Sequence, residues 1–356
     1  MESKIALKCW KPTPATIWQG REDTEEGTAG YRWHQQVQCL SKPDWPTQGT
    51  VLLGFVCEEG VRRNQGRVGA AGGPEAIRKA LANLPWHDEI IAHSEMLNIQ
   101  DQTIQAGTHT LSKAAIWDGG DVICAEEDRL LQADLTQAQQ TLADAITGIF
   151  QAGAKPMVLG GGHEVSFGSF LGLAQWALCQ PQLPRIGILN VDPHFDIRKP
   201  GSNGPSSGTP FYQVAQWCEA HKWPFHYGCL GISRWSNTQA LFQRADQWQV
   251  QYRFDTQLSE GQLPETLSWI DAFVAEIDWL YLTIDMDVFP AALVPGVSAP
   301  AAMGVHPWVV EHIISHLRQH YSHKLMLADV AELNPTYDRD QISAKVAARL
   351  VANLLQ

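Results

Sequence analysis

Two short runs of acidic and histidine side chains, each closing an apolar stretch, carry most of the chemistry in this chain. The first follows Ile186–Val191 and reads Asp192-Pro193-His194-Phe195-Asp196. The second follows Leu280–Ile284 and reads Asp285-Met286-Asp287. Residues at i, i+2 and i+4 share one side of an extended backbone. Two such runs at neighbouring strand ends could hold a pair of metal ions between them. A third run, Gly160-Gly161-Gly162-His163-Glu164, follows the apolar Met157–Leu159. Its glycines permit a sharp turn that would bring His163 over a strand end. A glycine-rich turn also suggests a phosphate cradle, but neither G-x-G-x-x-G nor G-K-[ST] spacing is present, which disfavours phosphate.

Pooled, His163, Asp192, His194, Asp196, Asp285 and Asp287 supply four carboxylates and two imidazoles. This hard, oxygen-rich set suits Mn²⁺ better than a structural Zn²⁺ site, which favours Cys and His. A lone D-x-D could equally bind Mg²⁺-phosphate or cap a helix. The three runs together, in this order, favour the metal. Glu332 lies in Asp329-Val330-Ala331-Glu332-Leu333-Asn334-Pro335, at another expected strand end. It either caps the next turn or faces a substrate as an anion.

The elements that must position these residues follow from apolar patterning. Runs at 50–57, 156–160, 186–191, 226–232, 280–284 and 324–329 read as strands. Residues 73–81, 130–152, 165–179, 237–248, 263–276 and 339–355, and a segment starting at Pro307, read as helices. Pro74 and Pro307 suit first helical turns. Alternating strands and helices predict a parallel sheet covered on both faces, with ligands outside the carboxyl ends of its strands. Pro200–Pro210 and the Pro/Gly/Ala-rich stretch up to Val305 read as loops. Residues 1–48 show no clear period and read as an irregular N-terminal extension of one domain spanning 1–356.

A hydrophobic share of 44% with 18% charged residues over 356 positions supports a globular protein with a sizeable core. The net charge of −12, without any Lys/Arg-rich run, argues against nucleic-acid binding. No apolar stretch is long enough to span a bilayer, and the N-terminus lacks a secretory core. Seven scattered cysteines without C-x-x-C suggest buried thiols in a reducing compartment, so a cytoplasmic location is expected.

In this order the motifs resemble the ureohydrolase family of arginase and agmatinase. That family carries a G-G-x-H turn, a D-A-H-x-D segment, and a D-x-D segment followed by a Pro-rich loop. Here Pro193 replaces the usual Ala and Gly162 the usual Asp. The likeness runs from about Thr50 to the C-terminus. It implies a three-layer α/β/α arginase-like fold with a central, mainly parallel sheet, two Mn²⁺ per chain, and assembly as a homo-oligomer. Carried over by position, His163, Asp192, Asp196 and Asp285 would bind one Mn²⁺. Asp192, His194, Asp285 and Asp287 would bind the other, with Asp192 and Asp285 bridging. Glu332 matches the family glutamate that pairs with the cationic carbon–nitrogen group of the substrate.

The departures narrow the substrate. Arginases read D-I-N where this chain has Asp196-Ile197-Arg198. In Ser206-Ser207-Gly208-Thr209-Pro210, Ser207 stands where the family has a proton-shuttling His. Gly231–Asn237, which includes Arg234, lacks the acidic residues that would hold a substrate amine. Cations and neutral groups thus replace cation-seeking ones, which suits a substrate rich in carboxylates. GGGHEVSFGSF, DPHFDIR, SSGTPF, GISRWSNTQALF and EEGVRRNQGRVGAAGGPEAIR are similar to the histidine-utilisation branch of the family. That branch converts N-formimidoyl-L-glutamate and water to L-glutamate and formamide.

The resemblance implies Asp196 and Glu332 as catalytic residues and Arg198, Asn203, Ser207, Arg234 and Glu332 as substrate contacts. Asp196 or a relayed water would protonate the leaving amine. Arg198 could instead be a surface residue, and Arg62, Arg63 and Arg67 could either aid carboxylate binding or lie in a solvated loop. Two other readings stay open. One is a ureohydrolase acting on a carboxylate-bearing guanidine such as guanidinobutyrate. The other is a non-catalytic member that keeps the fold as an assembly module.

Overall fold

A computed structural model describes residues 9–87, 115–124 and 134–356. Ten strands join in one sheet: β1 (Trp10–Lys11), β2 (Gln38–Cys39), β3 (Thr50–Val56), β4 (Ile116–Ile123), β5 (Lys155–Leu159), β6 (Ile186–Val191), β7 (His226–Ile232), β8 (Gln251–Phe254), β9 (Trp279–Asp285) and β10 (Leu325–Ala331). The order is β1-β4-β3-β5-β10-β9-β6-β7-β8, with β2 beside β4. Every pairing is parallel except β1 with β4.

The helices are α1 (Glu59–Arg63), α2 (Gly73–Ala82), α3 (Leu135–Ala152), α4 (Val165–Ala177), α5 (Pro210–His221), α6 (Gln239–Gln247), α7 (Leu263–Ala275), α8 (Pro307–Tyr321) and α9 (Ile342–Leu355). Strand residues alternate between two cores, as a period of two requires. Val51, Leu53 and Phe55 join the core under α3, α4, α5 and α6. Leu52 joins the core under α2, α7, α8 and α9. Sheet and two helical layers give the expected α/β/α arrangement.

Several elements escaped the apolar pattern. β4 reads Asp118-Gly119-Gly120-Asp121 at its centre, which looks like a turn. In the fold, Gly120 takes a left-handed φ of 82°, and the β3–β4 register shifts there. Both aspartates pair with the fully buried Arg78 of α2. α5 hides its period because Tyr212 and Trp217 interrupt the apolar set Phe211, Val214, Ala215 and Cys218. β8 is a four-residue edge strand, too short to register. α1, whose polar sequence reads as a loop, is a short helix. The expected start of α3 at Leu130 lies outside the described residues; Asp134 caps the described part by accepting the Gln137 N–H at 3.0 Å.

The described residues before β3 carry two short strands, β1 and β2, and three short 3-10 helices, and they are tied to the sheet. Thr13 Oγ1 and Trp18 Nε1 donate to Asp118 at 2.9 and 2.5 Å. All seven cysteines are free. Among the described residues, no helix is long and apolar enough to cross a membrane.

Candidate metal centre

Four adjacent strands, β5-β10-β9-β6, deliver the candidate residues from their C-terminal ends. β5 leads into His163, β10 into Glu332, and β6 into Asp192, His194 and Asp196. β9 ends on Asp285, with Asp287 in the following 3-10 turn. Residues far apart in the chain therefore meet at one edge of the fold.

The local backbone is not the extended run expected from the i, i+2, i+4 spacing. β6 stops at Val191 and the chain bends. Asp192 Oδ1 accepts the His194 N–H at 2.7 Å, and Asp196 takes a left-handed φ of 48°. Asp285 Oδ1 likewise accepts the Asp287 N–H at 2.7 Å. An aspartate that captures the amide two residues on makes a turn around itself, so the carboxylates converge through turns. The glycines before His163 also act differently from expectation, for none of the three has a positive φ. A Cβ at Gly161 would lie 1.9 Å from the Cys57 carbonyl oxygen, so close backbone approach requires glycine there.

His163 Nδ1 lies 2.9 Å from Asp196 Oδ2, 3.0 Å from Asp285 Oδ2 and 3.2 Å from Asp192 Oδ2. His194 Nδ1 lies 3.2 Å from Asp192 Oδ1. Two groups result, each with all ligand atoms within 4.8 Å: His163, Asp192, Asp196 and Asp285, then His194, Asp285 and Asp287. Asp285 belongs to both. Asp192 falls outside the second group by that measure, although it turns one oxygen to each histidine.

The electrostatics of this cluster call for cations. Burial, with Asp287 and Asp192 close by, pushes the Asp285 carboxyl well above the usual range. Burial takes Asp287 up to about 6 and also raises Asp196. Burial opposes charge on the imidazoles, yet Asp285 and its neighbours hold His163 well up, and Asp192 holds His194 at about 10. The cluster thus has more negative charge than the chain can neutralise without recruiting protons. Divalent cations supply that charge directly. Donor atoms close to 3 Å apart match the edges of an octahedral shell with bonds of about 2.1 Å. The donor set and its spacing fit a pair of Mn²⁺ ions.

A second layer orients these groups, and sequence reading missed it. With Nδ1 as the ligand atom, His163 Nε2–H donates to Thr283 Oγ1 at 3.0 Å. Thr283 Oγ1 also lies 3.3 Å from Ser166 Oγ, and the buried Asp329 on the neighbouring strand accepts from Tyr281 through Oδ2. Asn190 Nδ2 donates to Asp192 Oδ2 at 3.1 Å. Asn237 braces the bend after β6 by accepting the Phe195 N–H at 3.1 Å and donating to Pro193 O at 2.8 Å. Such partners fix ligand tautomer and direction. Their one signal in sequence is a polar residue inside an apolar strand.

Glu332 Oε1 accepts the His163 N–H at 2.6 Å. Oε2 is buried and has no hydrogen-bond partner among the described residues, although Ser298 faces the carboxylate. Burial, then Asp287 and Asp285, push its carboxyl well above the usual range. His194, Asp196, Asp285, Asp287 and Glu332 line a cavity of about 330 Å³. Its wall includes Asn64, Gln65, Arg67, Arg198, Ser207 and Ser298.

Arg198 is exposed, and among the described residues its side chain makes no ion pair. Two expected substrate contacts lie off the cavity wall. Asn203 is exposed in the tight Gly201–Gly204 turn, which points the loop tip to solvent. Arg234 is drawn to the Phe254 ring, 5.1 Å from its centroid. Arg62 and Arg63 both pair with Glu59.

Sheet, strand-end carboxylates and paired histidines together define an α/β protein with a candidate two-metal centre. A family model described as Arginase family matches residues 48–356. The chain belongs to the arginase family. A formimidoylglutamase of Aeromonas salmonicida is 46% identical over 344 residues, covering 95% of this chain and 96% of that protein. One of Ralstonia nicotianae is 47% identical over 342 residues, covering 96% and 94%. A solved Trypanosoma cruzi formiminoglutamase with Mn²⁺ shares the fold at a TM-score of 0.68 and 23% identity, covering 86% of this chain and 92% of that one.

Proposed function

We propose that this chain is a binuclear manganese hydrolase converting N-formimidoyl-L-glutamate and water into L-glutamate and formamide. One observation carries the reading. A buried carboxylate oxygen of Glu332 and the guanidinium of Arg198, both without a partner among the described residues, line the same cavity as the acidic clusters. The substrate has the complementary form, a cationic amidine at one end and carboxylates at the other. Near-full-length relatives named formimidoylglutamase support the choice.

His163, Asp192, Asp196 and Asp285 would hold one Mn²⁺, and His194, Asp285 and Asp287, with Asp192, the other. Bound there, the two ions supply the positive charge that makes water a nucleophile near neutral pH. Glu332 receives the amidine nitrogens through its free oxygen, a charge-assisted contact strengthened by burial. Arg198 holds a carboxylate, ideally through two parallel hydrogen bonds. Water adds to the formimidoyl carbon, and the bond from that carbon to the glutamate nitrogen then breaks. That nitrogen takes a proton from Asp196 or through a water passing Ser207. The terminal nitrogen stays with Glu332 and leaves as formamide.

The reading treats the chain as one catalytic unit, because a single sheet runs from Trp10 to Ala331. It places the protein in a reducing, cytoplasmic setting, in keeping with seven free thiols. Assembly into a homo-oligomer is part of it and can be checked by sedimentation. The deciding experiment supplies formimidoyl-carbon-13 substrate to Mn²⁺-loaded protein and follows products by NMR, with guanidinobutyrate alongside. Formamide with equimolar glutamate is expected. Labelled N-formylglutamate with ammonia, or turnover of guanidinobutyrate alone, would refute the reading.

A further inference from the structure

Four arginines are near enough in sequence or space to serve the proposed substrate: Arg62, Arg63, Arg67 and Arg198. Their surroundings separate them. Arg62 and Arg63 are committed to Glu59, with Arg63 Nε 2.7 Å from Glu59 Oε1. Arg67 has no carboxylate partner among the described residues. Its Nη2 donates to the carbonyl oxygens of Pro295, at 3.2 Å, and Val297. The guanidinium carbon lies 4.1 Å from the centroid of the Tyr337 ring. Its Nε–H is buried and has no hydrogen-bond partner among the described residues. Neutral carbonyls and an aromatic face fix the guanidinium without cancelling its charge.

The backbone beneath is fixed as well. Gly66 N–H donates to Val61 O at 2.9 Å, closing α1, with Gln65 in a left-handed conformation at φ 60°. Asn334 Nδ2 donates to Arg67 O at 2.9 Å. Asn334 lies two residues after Glu332, so the arginine is referenced to the strand end that carries the proposed amidine acceptor. Arg67 and Arg198 line the same cavity as the acidic clusters. A dicarboxylate needs two cationic stations, and a cation held beforehand loses little freedom on binding.

We infer that Arg67 is the second carboxylate receptor of this cavity, so that Arg67 and Arg198 each take one carboxylate of the substrate. The inference rests on the dicarboxylate substrate proposed above. It makes the segment after α1 a specificity element, although it contributes nothing to the metal ligands.

Steady-state kinetics with Mn²⁺-loaded protein test it on three substrates: N-formimidoyl-L-glutamate, N-formimidoyl-γ-aminobutyrate, which lacks the α-carboxylate, and N-formimidoyl-L-2-aminobutyrate, which lacks the side-chain carboxylate. Arg67→Ala should raise KM for the dicarboxylate about ten- to a hundredfold with kcat nearly kept. On the analogue missing the carboxylate that Arg67 holds, the same variant should match wild type. Arg67→Lys, which keeps a charge and can still reach the carbonyls, should recover part of the loss. Equal losses on all three substrates, or none, would overturn the assignment. Wild-type protein that turns over none of them would overturn the functional reading itself, and the assignment with it.

Discussion

Glu332 and His163 are joined directly, with the glutamate Oε1 accepting the histidine backbone N–H at 2.6 Å. One oxygen of the carboxylate thus locks the turn that carries a candidate metal ligand, and the other has no partner among the described residues. Glu332→Gln can keep the lock and lose the charge. Its kcat/KM should fall about ten- to a hundredfold, the value of a charged hydrogen bond of ~1.5–3 kcal/mol. Glu332 is in neither ligand group, so Mn²⁺ content, read by atomic emission, should stay unchanged. Lost metal would mean that the residue belongs to the coordination shell.

Thr283 is the only described side chain bonded to His163 Nε2. Thr283→Val conserves shape and removes that acceptor. Loss of a ligand-orienting partner typically costs roughly 10–100-fold in metal affinity, and a Mn²⁺ titration should show a loss in that range. Unaltered affinity would show that packing alone aims the ring.

Arg198 tests the carboxylate end. Arg198→Ala should lose ~1.5–3 kcal/mol, roughly ten- to a hundredfold in kcat/KM. Arg198→Lys should regain only part, because lysine lacks the planar fork. Unchanged kinetics in both would make Arg198 a surface residue.

The crowded carboxylates link metal to stability. Mn²⁺ binds the folded cluster and leaves the unfolded chain largely alone, so chelation should lower the Tm. Asp285, the carboxylate common to both groups, is held well above the usual range by burial and its acidic neighbours. Asp285→Asn should therefore be no less stable than wild type when both are metal-free, and should show a much smaller Mn²⁺-induced rise. Scanning calorimetry with and without chelator reads both quantities.

Arg78 sits fully buried between Asp118 and Asp121, at 2.9 and 2.6 Å. Arg78→Met leaves two carboxylates without their cation, and breaking a buried pair costs about 3–5 kcal/mol. A denaturation midpoint shifted by much less would mean that water or rearrangement compensates.

The scaffold and the ligand clusters were legible in sequence because each depends on local pattern. Ile186–Val191 and Leu280–Ile284 are mainly apolar runs, broken only by Asn190 and Thr283, and the acidic residues that end them lie at the strand ends. What could not be read depends on direction. Nothing in Gly201–Gly204 says that Asn203 will point to solvent, and nothing near Arg234 reveals Phe254 as its neighbour. Thr283 is an ordinary strand residue by type, and its part in orienting His163 exists only once β9 lies against β10. Arg67 could be separated from Arg62 and Arg63 only by seeing which of them Glu59 captures.

The strand order also dictates when this centre can come into being. β9 and β10 lie between β5 and β6, although both follow them in the chain. As the polypeptide emerges from the ribosome, β5 and β6 arrive without the two strands that bridge them. Asp285, Asp287 and Glu332 must be threaded into that gap after more than half the chain has been made. Pairings this distant in sequence form slowly, and until they form the half-built sheet exposes unpaired edges. The cation-binding centre is therefore a late product of biogenesis, and a nascent chain ending before Trp279 has no means of assembling it.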